Sequence, residues 1–477
     1  MDVLIVIGDQ DTYHENDAEV DSTPIWLSDI LCNEGIVAQF VIHARRAEIL
    51  AEFGRDDVIF AMRRHEIGLH GRDVHPVLPE LVEGLDWQAG LDAMRAAEGA
   101  ELALLGHVFD VTPTCSSQHR HQAAPQAFGL ARELGIPYMF GYPGAPPAYS
   151  VSWYAGALSL PLNTPTAESL CFFPAVFDDA LPDDAHFAEM FGRLKAHVAR
   201  CLELRLPLLV VFVCHPERLC YSGPLEQWQY GNGVNHGPAG VPAGIEKRRS
   251  RAEVDRALVN FRTVIRYLRD TPGLEPITTR DIMKRYGRQA SHLSRPDLVS
   301  VAREASRTRR IPVGGILSAA DAVLGFAQGI AQRATNGGLP ERVERIDTLG
   351  PTEPPPLAPG LPALHESDLV ALGHSLVRRT HETGYLPASL ELRNRQVGLG
   401  SLYGALATSY LAEGPRDSPI ELGAWPRYPE MGVALGNCHR LCTEDPLVRP
   451  GLSTDAAALH AQLQTWTLKS AARDRGP

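Results

Sequence analysis

Residues 206–213 read Leu-Pro-Leu-Leu-Val-Val-Phe-Val, an apolar run that no charged side chain interrupts. Such runs are typical of parallel strands that are buried on both faces of a sheet. Residues 3–7 (VLIVI) and 36–42 (IVAQFVI) form two further strand-like runs. Helical patterns separate these runs over the first two thirds of the chain. This alternation predicts an α/β fold with right-handed crossovers, built on a parallel sheet or barrel.

The pattern of the sequence changes near residue 250, and beyond about residue 290 the chain is helical in pattern and rich in arginine. A proline-rich stretch at 350–362 favours an extended spacer. Segments that begin at Asp297 and Asp368 share a helix, an apolar-proline turn and a second helix. This predicts a duplicated helical unit, although two unrelated amphipathic helix pairs would give the same pattern.

These observations divide the chain into four parts. We expect an α/β unit with a parallel sheet or barrel at 1–290, a helical unit at 291–347, a proline-rich linker at 348–364, and a second helical unit resembling the first at 365–477. The length of 477 residues leaves room for that many compact units.

The charge of the chain limits its partners. Lys and Arg number 45 against 57 Asp and Glu, which gives a formal net charge of −12 and argues against nucleic acid or an anionic membrane as the main partner. The longest apolar run, residues 206–214, is too short to span a bilayer, and the N-terminus lacks the basic region of a secretory signal. We therefore expect a cytoplasmic protein, and the oligomeric state stays open.

Polar residues follow three of the strand-like runs at the point where each run ends. Asp9 and Asp11 follow the first, His70 and His75 follow a short candidate at 66–69, and His215 follows the run quoted at the outset. In barrels of parallel strands, such positions converge at one mouth. Two histidines and one carboxylate form an open ligand set for Zn²⁺ or a similar ion. Each residue alone is equally explained as a cap or as a packed or solvated side chain.

A family resemblance joins these positions. The chain carries Asp9-Gln10-Asp11, then residues 65–70 (HEIGLH) with His75-Pro76, and later residues 211–216 (VFVCHP). With these motifs it resembles the polysaccharide deacetylases, which are carbohydrate esterases with a NodB-type domain, over about residues 1–290. The resemblance implies a distorted (β/α) barrel of the polysaccharide-deacetylase type, followed here by a C-terminal helical region.

The resemblance also implies a metal site. Asp11, His70 and His75 would bind a divalent ion, with Zn²⁺ as the first choice and Co²⁺ or Ni²⁺ as alternatives. The two histidines are separated by four residues, where the family usually has three.

Three catalytic roles follow from the same resemblance. Asp9 would act as general base, Arg120 would pair with Asp9 and keep it ionised, and His215 would protonate the leaving amine. Ser152 stands where the family has the aspartate that precedes a tryptophan, so we expect His215 to lack its carboxylate partner.

The implied activity is metal-dependent hydrolysis that removes an N-acetyl group from an amino sugar or glycan. Trp153, Tyr154 and Trp228 are candidates for stacking on sugar rings, or equally for packing in the core. Two other interpretations stay open. One is a catalytically inactive deacetylase-like protein that binds a glycan or a partner, and the other is an amidohydrolase for a small-molecule amide that is not a sugar.

Overall fold

The computed structural model describes most of the chain. The described residues are 1–8, 18–119, 122–142, 145, 150–161, 176–223, 228–236, 240–245, 247–313, 315–357, 363–412, 414, 418–422, 425–429 and 442–473.

The strands are, in chain order, β1 (Asp2–Ile7), β2 (Gln39–Ile42), β3 (Glu66–Leu69), β4 (Ser116–Ser117), β5 (Tyr138–Met139), β6 (Ser152–Tyr154), β7 (Ala157–Leu160), β8 (Leu208–Phe212), β9 (Tyr221–Ser222), β10 (Lys247–Arg248), β11 (Glu275–Ile277), β12 (His292–Ser294), β13 (Arg342–Glu344), β14 (Ser389–Leu392), β15 (Arg395–Gly398) and β16 (Lys469–Ser470).

The α-helices are α1 (Ala18–Asp21), α2 (Thr23–Asn33), α3 (Ala44–Glu52), α4 (Asp56–Met62), α5 (Leu78–Leu81), α6 (Trp87–Met94), α7 (Ala100–Phe109), α8 (Pro125–Leu134), α9 (Asp184–Glu203), α10 (Arg251–Asp270), α11 (Thr279–Tyr286), α12 (Arg295–Thr308), α13 (Ala319–Asn336), α14 (Glu366–Thr383), α15 (Leu399–Tyr410) and α16 (Asp455–Gln464).

One curled sheet organises the first part of the chain. Its strands follow the order β8-β1-β2-β3-β4-β5-β7-β6-β16, and β11 pairs with β1 on the same side as β2. The pairs from β8 to β7 are parallel, and the last two pairs are antiparallel. This order, with helices between the strands, confirms the predicted distorted (β/α) barrel.

The apolar strands are buried on both faces. Alternate residues of β1 and β8 face two different core clusters, one beneath the helices and one inside the curled sheet. The cluster beneath the helices takes Val3, Ile5, Ile7, Leu209 and Val211. The inner cluster takes Leu4, Val6, Leu208, Val210 and Phe212. Because both faces need apolar side chains, the sequence shows continuous runs instead of alternation.

The first two residues of the HEIGLH stretch have structural roles. His65 accepts a hydrogen bond from the amide of Ala38 and contacts the hydroxyl of Ser28, and burial lowers the pKa of its imidazole to about 4. The carboxylate of Glu66 accepts hydrogen bonds from the backbone amides of Thr279 and Arg280 at the start of α11. An anion is favourable at a helix N-terminus, so this glutamate ties β3 to the end of the barrel segment.

The two C-terminal helical segments pack together. The first segment supplies α12 and α13 and the second supplies α14 and α15; α13 packs most extensively against α14, and all four helices share one apolar core. The hairpin β14–β15 separates α14 from α15, whereas a plain loop separates α12 from α13. The proline-rich stretch is held at both ends, since Leu349 bridges to Tyr385 and Leu364 bridges to Ile420.

The chain returns to the barrel after the helical segments. β16 pairs antiparallel with β6, with Lys469 opposite Trp153, and α16 packs on α8, where the side chains of His460 and Gln126 lie 2.7 Å apart. The sequence division placed this strand inside a helical unit, because two residues carry no strand pattern. Among the described helices, none combines the length and the apolar character needed to cross a membrane.

A buried glutamate, Glu98, contacts strand β4 through Ser116. Glu98 belongs to a π-helical turn (Arg95–Gly99) between α6 and α7, and the hydroxyl of Ser116 donates a hydrogen bond to its carboxyl at 3.3 Å. Burial raises the pKa of Glu98 to about 8 from its ordinary 4.5. The carboxyl is therefore protonated in the folded protein at neutral pH.

Replacing Glu98 with glutamine should remove a pH dependence of stability. Since the folded state binds this proton more tightly than the unfolded state, the wild-type free energy of unfolding should fall as the pH rises from 4.5 to 8. The slope should reach at most about 1.4 kcal/mol per pH unit. Urea unfolding of both proteins at several pH values measures it. Glu189→Gln, an exposed change on α9, is the matched control. Equal slopes for Glu98→Gln and the wild type would contradict the assignment.

Candidate functional site

Three histidines follow three neighbouring strands at one edge of the sheet. His43 follows β2 directly, His70 follows β3 directly, and His119 lies two residues beyond β4. The register aligns Ile42 with Leu69 and Leu69 with Ser116, so these strand ends stand side by side. Parallel pairing therefore brings the three imidazoles to one place, although they are far apart in the sequence.

The three imidazoles form a compact buried group. Their ring centroids lie 5.1, 5.6 and 6.2 Å apart, and each ring offers a nitrogen within 4.8 Å of a nitrogen of the other two. His43 is 0% exposed, His70 6% and His119 8%. We name His43, His70 and His119 the histidine cluster.

A serine fixes the tautomer of the central ring. The hydroxyl of Ser117 donates its one hydrogen to the carbonyl of Leu69 at 2.7 Å, and it lies 2.8 Å from Nδ1 of His70. The hydroxyl must therefore accept from Nδ1–H. A neutral imidazole protonated at Nδ1 carries its lone pair on Nε2, which is the atom that a metal ion would bind.

His215 has a carboxylate partner in the structure. Asp178 accepts a hydrogen bond from the His215 backbone amide at 2.8 Å, and its other oxygen lies 2.8 Å from Nδ1 of the ring. The expectation that this partner is missing is therefore wrong. Asp178 belongs to the segment before α9, which the hydrogen bond from the Phe177 amide to the Val213 carbonyl holds beside the end of β8. No sequence motif identifies Asp178 as the partner of His215.

Two phenylalanines connect the histidine cluster with His215. Ring centroids lie 4.8 Å apart between His215 and Phe212, 5.7 Å between Phe212 and Phe140, and 6.0 Å between Phe140 and His70. Phe140 has a left-handed backbone (φ +62°), which is uncommon for a bulky residue and is often found at functional sites. We name Phe140 and Phe212 the apolar floor.

Gly8 leaves room for this arrangement. It follows β1, and its amide bonds to the carbonyl of Cys214 at 2.9 Å. A Cβ at this position would lie 2.3 Å from Cζ of Phe212 and 2.8 Å from Cδ2 of His215. The glycine therefore allows β1 to approach the rings that end β8.

His75 is held outside the histidine cluster. Its Nε2 lies 2.8 Å from the carbonyl of Tyr230, to which it must donate, and its backbone exchanges hydrogen bonds with the side chain of Asn235. Its lone pair is therefore on Nδ1, a buried atom with no hydrogen-bond partner among the described residues. Of the two predicted histidine ligands, His70 belongs to the histidine cluster and His75 does not.

Three predicted site residues lie outside the described residues. These are Asp9, Asp11 and Arg120. Their roles as base, metal ligand and base partner stay predictions.

The three predicted sugar-binding aromatics have different environments. Tyr154 is 0% exposed, its ring packs against Phe128, and its hydroxyl bonds to the carbonyl of Ala461, so no ring face is open to a sugar. Trp153 is 9% exposed and packs in the inner core cluster. Trp228 is 37% exposed and lies two residues before the carbonyl that holds His75.

The donor set of the histidine cluster fits a divalent transition metal. Imidazole nitrogen suits Zn²⁺, Co²⁺ and Ni²⁺, whereas Mg²⁺ and Ca²⁺ prefer oxygen. No motif in the sequence marks His43 or His119, although His43 stands at a strand end as His70 does. Applying the strand-end rule to every run would have selected His43, while β4 is too short to be recognised from the sequence.

Replacing Gly8 with alanine should destabilise the protein. Because the new methyl group overlaps Phe212 and His215, we expect a loss of about 1–3 kcal/mol in the free energy of unfolding. Denaturant unfolding measures it. The matched control is Gly192→Ala within α9, where no atom lies within 4 Å of the added Cβ, and it should be neutral or stabilising. A Gly8→Ala protein as stable as the wild type would contradict the packing argument.

The solved structures that resemble this chain include polysaccharide deacetylases and a pseudoenzyme of the same family. A Mycobacterium smegmatis protein assigned to the polysaccharide deacetylases is 14% identical, with a TM-score of 0.35 over 59% of this chain and 88% of that chain. The Bc1960 peptidoglycan N-acetylglucosamine deacetylase is 17% identical, with a TM-score of 0.23 over 30% and 56%. BA3943, a family 4 carbohydrate esterase pseudoenzyme of Bacillus anthracis, is 13% identical, with a TM-score of 0.26 over 45% and 54%.

The matched region spans only about half of the Bc1960 and BA3943 chains. No protein-family model and no curated protein matches the sequence. The chain is thus similar to the same group of proteins that its motifs resemble, and at these TM-scores the interpretation of the site depends on the residues of this chain alone.

Proposed function

We propose that this protein is a metal-dependent hydrolase that removes an N-acetyl group from an amino sugar or glycan. One observation carries the proposal. The hydrogen-bonded pair His215–Asp178 lies across the apolar floor from the histidine cluster. A candidate proton donor and a candidate metal site are thus on the two sides of one small apolar surface.

The metal centre includes His70, which the family resemblance and the histidine cluster have in common. A bound Zn²⁺, Co²⁺ or Ni²⁺ ion would polarise the acetyl oxygen and lower the pKa of water. The buried imidazoles of the cluster supply nitrogen donors of the kind that these ions prefer.

Asp9 is proposed as the general base. It follows Gly8 at the end of β1, and it takes the proton of the attacking water. Arg120 is proposed to pair with Asp9 and to favour its ionised form. Both roles come from the family resemblance.

His215 is proposed as the general acid. Asp178 accepts from Nδ1–H, which fixes the ring orientation and leaves Nε2 to carry the transferable proton. When the C–N bond breaks, Nε2 gives this proton to the departing amine nitrogen. Asp178 is a positioning residue, since it acts through His215.

The apolar floor supports a small acyl group as the part that is removed. The rings of Phe140 and Phe212 lie between His70 and His215 and are 6% and 5% exposed, so an acetyl methyl group would pack against their edge of the core. Trp228, which is 37% exposed, is the aromatic available to a sugar ring.

An amidohydrolase for a non-sugar amide would use the same centre. Release of acetate from N-acetylated sugars but not from other amides would favour the sugar deacetylase.

Replacing Asp9 with asparagine should lower the rate of acetate release from an N-acetylated amino sugar at least about 10²-fold, because proton removal from water is lost. Metal content should stay at the wild-type level, which elemental analysis checks.

Chelation of the wild type should abolish the release of acetate, and added Zn²⁺ or Co²⁺ should restore it. Full activity in Asp9→Asn would exclude this base. A pure wild-type protein that takes up no metal and releases no acetate would favour a glycan- or partner-binding protein instead.

Replacing Asp178 with asparagine should also lower the rate about 10²-fold or more, because the His215 ring loses its fixed tautomer. The ¹⁵N NMR spectrum of the imidazole should show hydrogen on Nδ1 in the wild type and a mixture of tautomers in the variant. Asp179→Asn is the matched control, since Asp179 is 54% exposed and pairs with Arg218 and Arg249. If both substitutions had the same effect on rate and tautomer, Asp178 would not be a positioning residue.

A further inference from the structure

We propose that His43, His70 and His119 are themselves a three-histidine site for one divalent transition-metal ion. The assignment differs from the ligand set that the sequence motifs imply, because His43 and His119 take the places of Asp11 and His75 beside His70. Its purpose depends on the proposed hydrolase function, but the binding itself can be measured without any substrate.

The ends of three neighbouring strands place the three ligands. Each histidine is within two residues of a strand end, and the three strands are consecutive in the sheet. The amide of His70 bonds to the carbonyl of Ile42 at 3.0 Å, which locks His70 beside the residue that precedes His43. Sites carried by regular strands hold their ligands more precisely than sites carried by loops.

The distances suit metal binding after a small contraction. The candidate nitrogens lie within 4.8 Å of one another. Around an ion bound at about 2.0–2.1 Å, tetrahedral nitrogen ligands stand roughly 3.3 Å apart. Ring shifts of roughly 1 Å therefore close the site, and a fourth position stays open for water or substrate.

Burial also favours a metal ion here. The three rings are at most 8% exposed, so few water molecules reach their nitrogens. A neutral imidazole has one ring nitrogen with a lone pair, which is the donor that Zn²⁺, Co²⁺ and Ni²⁺ take.

Ser117 orients one ligand of this site through the other nitrogen of the His70 ring. Its hydroxyl accepts from Nδ1–H of His70 and donates to the carbonyl of Leu69, which directs the His70 lone pair to Nε2. Metal-bound histidines commonly have such a partner on the other ring nitrogen. His75 shows the contrasting arrangement, since its Nε2 is engaged by the carbonyl of Tyr230.

The test is metal binding to the full chain. Zinc K-edge X-ray absorption of the zinc-loaded wild type should show three imidazole ligands. Co²⁺ titration of the metal-free protein, followed by visible absorption, measures the affinity. His43→Asn and His119→Asn should each lower it at least about 100-fold, since loss of a ligand's hydrogen-bond partner alone costs about 10–100-fold. Ser117→Ala should weaken binding about 10–100-fold, and Ser117→Thr, which keeps the hydroxyl, should restore it.

His75→Asn is the matched control and should bind Co²⁺ as the wild type does. Fewer than three imidazoles around zinc, or wild-type Co²⁺ affinity in both His43→Asn and His119→Asn, would overturn the assignment, as would loss of binding in His75→Asn alone. Should a variant fail to fold, as judged by circular dichroism, the absorption spectrum of the wild type decides. A protein that binds metal through three imidazoles and releases no acetate keeps this site and loses the proposed function.

Discussion

The parallel pairing of β2, β3 and β4 is the constraint on which the site depends. The register that places Ile42 beside Leu69, and Leu69 beside Ser116, brings the following residues to one edge of the sheet. Since the carboxyl ends of parallel strands share that edge, His43, His70 and His119 meet there. A shift of one residue in any pair would turn alternate side chains to the other face of the sheet and separate the three rings.

The other half of the site depends on contacts made by a neighbouring pair of strands. β8 pairs with β1 along its length and ends in Phe212, whose ring lies against His215. Gly8 lets these rings approach the end of β1, and Asp178 holds His215 through two hydrogen bonds. Two buried phenylalanine rings lie between His215 and the histidine cluster, and burial of this kind lowers the local dielectric and strengthens electrostatic interactions.

The C-terminal region is part of the framework of the barrel. Residues 469–470 complete the edge of the main sheet, and the ammonium of Lys469 pairs with the buried carboxylate of Asp321 on α13 at 2.6 Å. Leu447 packs with Val74 and Tyr230, next to the carbonyl that holds His75. A change in the helical region can therefore reach the loops around the site through these contacts.

The sequence by itself determined the barrel, its parallel strands, and the positions of His70 and His215 at strand ends, because two-sided burial demands continuous apolar runs and polar residues then mark where the runs end. Only the tertiary structure decided which histidines meet. Register placed His43 and His119 beside His70, a carbonyl of a distant loop engaged His75, and Asp178 reached His215 from a segment with no recognisable motif. Tyr154 became core for the same reason, since α16 and α8 close over its ring. Contacts between residues far apart in the chain depend on packing, and local patterns do not encode them.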